Sequence, residues 1–69
     1  MITGTVKFFD TTRGFGFIAP DDGANDVFVH ISAVERAGMQ SIVEGQKLSF
    51  EIVQDRRSGK SAADNLQAA

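Results

Sequence analysis

The chain has no cysteine, a single histidine, and neither tryptophan nor tyrosine among its 69 residues. Without cysteine no disulfide can brace a domain this small, and no thiolate is available for a zinc framework or a nucleophile. One imidazole, His30, makes neither a metal site nor a nucleophile–base pair, and the carboxylates are scattered, so the chain reads as a non-enzyme with no cofactor and no metal. No apolar run approaches membrane-spanning length, and the segment from Met1 to Lys7 lacks the basic and apolar stretches of a secretory signal. A cytoplasmic protein with no membrane partner is expected. Surplus positive charge is missing too: seven Lys and Arg face nine Asp and Glu, a formal net charge of −2. A protein that works mainly by neutralising many phosphates would be basic, so any nucleic-acid site here has to be local.

What is present is a series of short, apolar-alternating runs separated by turn residues, the spacing of a small all-β barrel or sandwich in one domain over residues 1–69. Five strands are predicted, Thr3 to Phe9, Phe15 to Ala19, Asp26 to Ile31, Lys47 to Gln54 and Ala62 to Gln67. The intervening clusters, Asp10-Thr11-Thr12-Arg13-Gly14, Pro20-Asp21-Asp22-Gly23, Glu44-Gly45 and Arg57-Ser58-Gly59, are those that turn chemistry selects. Between the third and fourth strands, Ser32-Ala33-Val34-Glu35 has capping-box spacing and Gly38 suits a left-handed terminus, which predicts one short helical turn.

Side chains alternate faces along a strand, so the pattern also predicts what is buried. Val27, Val29 and Ile31 make a stiff aliphatic face, leaving Phe28 and His30 on the other. Phe15 and Phe17 oppose Gly14, Gly16 and Ile18; if the glycines face inward they permit close backbone approach, and the two phenylalanines face out. Leu48, Phe50 and Ile52 alternate with Ser49 and Glu51, so Phe50 is an interior aromatic. Exposed Phe15, Phe17 and Phe28 on neighbouring strands form an apolar patch that a small monomer does not display without use. Flanked by Lys7 and Arg13, such rings suit the π-faces of unpaired bases; the rival is a surface that docks an apolar protein partner. Gly14-Phe15-Gly16-Phe17-Ile18-Ala19 fits a loose dinucleotide fingerprint, but no helix follows it.

Lys7-Phe8-Phe9, Arg13-Gly14-Phe15-Gly16-Phe17-Ile18 and Val27-Phe28-Val29-His30-Ile31 resemble the motifs of bacterial cold-shock proteins, and the resemblance runs over essentially the whole chain. It implies a five-stranded antiparallel OB-fold barrel with one helical turn after the third strand. The implied activity is ATP-independent RNA chaperoning by a monomer that binds single-stranded RNA and single-stranded DNA, needs no obligate protein partner, and in some relatives influences transcription or translation or serves the stress response. Carried over by position, the implied nucleic-acid contacts are Lys7, Phe8, Arg13, Phe15, Phe17, Asp26, Phe28, His30, Ile31, Met39 and Lys60. Phe8 stands where the family commonly has tryptophan, Ile31 where it has phenylalanine, Met39 where an aromatic is usual, and Arg13 replaces a lysine. The late loop lacks the usual Gly-Pro. In a regular first strand Val6 and Phe8 would share a face, so an exposed Phe8 requires a bulge near Lys7. Phe9 is either core or an edge contact.

Overall fold

The computed structural model describes residues 2–54 and 61–69. Five strands, β1 (Ile2–Asp10), β2 (Phe15–Pro20), β3 (Val27–His30), β4 (Lys47–Gln54) and β5 (Ser61–Ala68), form one sheet closed into a barrel in the order β1-β2-β3-β5-β4. The pairings are antiparallel except at the seam between β3 and β5, a parallel bridge at Phe28 and Ala62. A six-residue helix, α1 (Ile31–Arg36), follows β3 and covers one end of the barrel with Ala33 and Val34.

The turn chemistry acts as its residues suggest. Asp10 Oδ1 accepts hydrogen bonds from the main-chain N–H groups of Thr12 and Arg13 at 2.9 and 3.1 Å, an Asx turn that sends the chain from β1 into β2. After α1, Gly38 takes φ +81° and donates to the Glu35 carbonyl, while Met39 donates to the Val34 carbonyl; this is the Schellman closure, and it satisfies two helix-end carbonyls.

The interior is aliphatic with one aromatic: Val6, Ile18, Val27, Val29, Val34, Ile42, Leu48, Phe50 and Leu66 are buried, and no polar side chain is buried with them among the described residues. Gly14 and Gly16 face inward. A Cβ on Gly16 would lie 2.3 Å from the Phe8 carbonyl oxygen and 2.8 Å from Phe9 Cα, so only glycine lets β1 and β2 approach this closely.

The register of β1 against β2 slips between Val6 and Phe8, because Val6 pairs with Ile18 and Phe8 with Phe17, leaving Lys7 as the extra residue of a β-bulge. The bulge breaks the alternation, so Val6 is 1% exposed and Phe8 is 42% exposed although they are two residues apart. Phe9 is half-buried and packs against the core.

Three expectations are corrected. The third strand ends at His30 and not at Ile31, and the helix is capped by His30 in place of a Ser32–Glu35 capping box. His30 Nδ1 accepts the Ser32 main-chain N–H at 3.1 Å, the bond that an N-cap side chain makes to N2. Ile31 thereby becomes the first helical residue, half-buried against the core and bonded through its N–H to the Gly14 carbonyl at 2.8 Å. Ile52 is not interior; it is 43% exposed. The described pairing of β1 with β4 ends at Ile2 and Phe50, so Ile52 to Gln54 ride on β5 alone, beyond the part of the barrel that has an inside.

Candidate nucleic-acid interface

Adjacent strands bring the outward aromatics together. Phe15 is the Cα partner of His30 and Phe17 of Phe28 across β2 and β3, while Phe8 is the partner of Phe17 across β1 and β2. Each pair of neighbours therefore meets on the same outer face. Ring centroids lie 5.5 Å apart for Phe8 and Phe17, 5.8 Å for Phe15 and Phe28, 6.0 Å for Phe17 and Phe28, and 6.4 Å for Phe28 and His30. Phe15 and Phe28 are nearly parallel at 24°, whereas Phe17 stands edge-on to both. These spacings lie within the range of favourable aromatic pairs, so the rings hold one another in place while leaving faces open to solvent. Phe15, Phe17 and Phe28 are half-exposed, in contrast to Phe50, which is fully enclosed.

The cations around this face are not idle. Lys7, projected by the bulge, places Nζ 3.0 Å from Asp26 Oδ2, and Arg13 Nε lies 3.7 Å from Asp10 Oδ2 in the β1–β2 turn. Both pairs are well exposed, so each is worth no more than about 1 kcal/mol and can be exchanged for a phosphate. Asp26 lies just ahead of β3, close enough to tether Lys7 across two strands.

Met39 lies beside the start of α1, where it lines a shallow, open groove with Ile31, Glu35, Gly38 and Gln40 and packs its half-buried side chain on the core. Ile31 thus shares a surface with Met39. Lys60, with Arg56 and Arg57, falls outside the described residues. The place of Asp10 in the turn was read from the sequence, but its hold on Arg13 was not. The bonding of His30 to Ser32 carried no such signal. Among the described residues no cluster of His, Asp or Glu could hold a metal ion, and no helix is long and apolar enough to cross a membrane.

Comparison with known proteins finds similarity along the full chain. The sequence pattern of the 'Cold-shock' DNA-binding domain matches residues 2–69. Cold shock protein CspA of Rhizobium meliloti (strain 1021) is 71% identical over 69 residues, covering 100% of both chains. Probable cold shock protein y4cH of Sinorhizobium fredii is 69% identical over 68 residues, 99% of each chain, and cold shock-like protein CspE of Escherichia coli (strain K12) is 49% identical over 63 residues, 91% of this chain and 90% of that one. The closed five-stranded barrel, the outward phenylalanines and this agreement from end to end place the chain in the cold-shock domain family.

Proposed function

We propose that residues 1–69 act as one cold-shock domain that binds single-stranded RNA and DNA by stacking unpaired bases on Phe8, Phe15, Phe17, Phe28 and His30, with Lys7 and Arg13 exchanging their carboxylate partners for phosphates. The observation that carries this reading is the outer face of β1 to β3, where five rings lie in a continuous chain of contacts with none of them committed to the core. Nucleic-acid binding is what the family's description carries. The preference for single strands comes from chemistry: a duplex hides the π-faces that such a surface can use, whereas every unpaired base offers one. Asp26, Ile31, Met39 and Lys60 complete the proposed contacts at the margins.

From this binding mode follows chaperone activity without ATP. A ligand that takes only the open form of an RNA stabilises it by about 2.7 kcal/mol at a free concentration 100 times its dissociation constant. That equals roughly two base-pair steps of a DNA duplex at about 1.4 kcal/mol each, so one bound copy loosens weak hairpins and leaves long duplexes alone. Working as a cytoplasmic monomer, the protein would shift RNA toward open forms by mass action, and control of transcription or translation would follow from which segments it keeps open.

The test is titration of the protein with a short unstructured pyrimidine strand and with the same strand annealed to its complement. Tight binding of the single strand with weak binding of the duplex is expected. Phe28→Ala or Phe15→Ala should lower single-strand affinity by about 1–3 kcal/mol. Phe50→Ala should instead remove about 3–5 kcal/mol of stability. Unchanged affinity in Phe28→Ala at unchanged stability would remove the stacking surface as the binding site, and the patch would then be one for an apolar protein partner.

A further inference from the structure

His30 does two things at once, and the second determines how it does the first. Its ring stands at the edge of the aromatic face, 6.4 Å from Phe28 centroid to centroid, and its Nδ1 caps α1. The cap bond comes from the main-chain N–H of Ser32 at 3.1 Å. A peptide N–H can only donate, so Nδ1 must present a lone pair, and in a neutral imidazole the proton then sits on Nε2. Ser32 Oγ, 3.0 Å from the same nitrogen, can donate as well. Among the described residues Nε2 has no hydrogen-bond partner, and the residue is exposed.

We infer that the Ser32 main-chain N–H is a positioning group that fixes the tautomer of His30, so that the imidazole meets the nucleic acid as a hydrogen-bond donor through Nε2–H and selects a base whose edge offers an acceptor beside Phe28. The inference rests on the binding face proposed above and adds a direction to it. Stacking by the phenylalanines is indifferent to the base, because every base has a π-face. The imidazole edge is not indifferent: an amino group facing Nε2–H would set donor against donor, whereas a carbonyl oxygen or an unprotonated ring nitrogen completes the bond. Capping thus couples the end of β3 to ligand choice, since the bond that starts the helix also decides which ring nitrogen is left bare of hydrogen.

The chain is short enough for chemical synthesis, which permits a nearly isosteric test. Replacing His30 with thiazol-4-ylalanine keeps a ring nitrogen with a lone pair at the Nδ1 position and puts sulfur, without hydrogen, in place of Nε2–H. Melting temperature and helix content are expected to stay at the parent values while affinity for a short oligouridylate falls roughly two- to tenfold, the loss of one neutral hydrogen bond. In the parent protein at mildly alkaline pH, nitrogen-15 spectra of the imidazole should show Nδ1 unprotonated and Nε2 protonated. Ser32→Ala, which keeps the main-chain N–H, should leave that signature unchanged. Parent affinity in the thiazole chain, an Nδ1-protonated ring in the parent, or a tautomer reversed by Ser32→Ala would each overturn the inference. Failure of the unmodified protein to bind oligouridylate at all would instead count against the binding face itself, and the spectra would still decide the tautomer.

Discussion

Substituting Gly16 with alanine separates crowding from backbone strain. Gly16 sits opposite Phe9 in the β1–β2 ladder, and an added methyl would meet the Phe8 carbonyl oxygen at 2.3 Å, Phe9 Cδ1 at 2.7 Å and Phe9 Cα at 2.8 Å. Ordinary carbon contacts begin near 3.5 Å, so β1 must retreat by roughly 1 Å, and two of the three obstacles are main-chain atoms that no rotamer change can move. Overpacking of this kind costs about 1–3 kcal/mol, and the immobility of the neighbours puts Gly16→Ala near the upper end. A domain of this length holds about 3–10 kcal/mol in all, and each kcal/mol moves its melting temperature by about 4–8 °C. A fall of about 10–20 °C in a thermal melt is expected. Gly38→Ala is the control: open space surrounds that position, and its φ of +81° leaves only the torsional cost of about 1–2 kcal/mol. The two variants should differ further in an oligonucleotide titration below both melting points. Retreat of β1 pulls Phe8 away from Phe17, whose ring now lies 5.5 Å off, so Gly16→Ala should bind more weakly while Gly38→Ala leaves the ring spacing alone. A Gly16→Ala protein that melts within about 2 °C of the parent and binds equally well would refute the close-approach argument.

Phe8→Trp should tighten single-strand binding by a few tenths to about 1 kcal/mol without lowering the melting temperature, because the larger ring extends into solvent from a residue already 42% exposed. Fluorescence of the new indole in a chain that has no other tryptophan reads both quantities, and an earlier melt with no gain in affinity would place the ring inside. Affinity for a short pyrimidine strand should fall with salt at a log–log slope of roughly −2 to −3, three or four cations meeting phosphates at about 0.7 each; a slope near −6 would mean that charge outweighs stacking. Asp26→Asn releases Lys7 from a 3.0 Å ion pair and should strengthen binding by roughly 0.2–1 kcal/mol in an equilibrium titration. Weaker binding would show that the Asp26 carboxylate contributes more as a marginal contact to the ligand than it costs by holding Lys7.

The outward placement of Phe15, Phe17 and Phe28 was legible from alternation alone, because β2 and β3 are regular and their inner positions are glycine or stiff aliphatics. Phe8 was not. Its exposure depends on the slip at Lys7, and nothing in Val6-Lys7-Phe8 marks a bulge, so the family resemblance supplied what periodicity could not. The end of β3 was misread by one residue because histidine is outside the usual set of capping residues, and Ser32 looked like the better cap. Ile52 was misread for a different reason: alternation tells which face a side chain takes, but not where the neighbouring strand stops, and the β1–β4 pairing ends two residues earlier.

The position of the parallel seam between β3 and β5 divides the labour of the chain. Every ring of the outer face belongs to β1, β2 and β3, consecutive strands joined by short turns, whereas Leu48, Phe50, Ala63 and Leu66, which back that sheet from within, all come from β4 and β5. A chain cut in the connection between α1 and β4 would therefore yield two unlike pieces: one carrying every ring of the recognition face with only part of the core behind it, the other carrying Leu48, Phe50, Ala63 and Leu66 and none of the rings. Grip on a nucleic acid would return only when the pieces rejoin, which makes the recognition face a reporter on the wholeness of the barrel behind it.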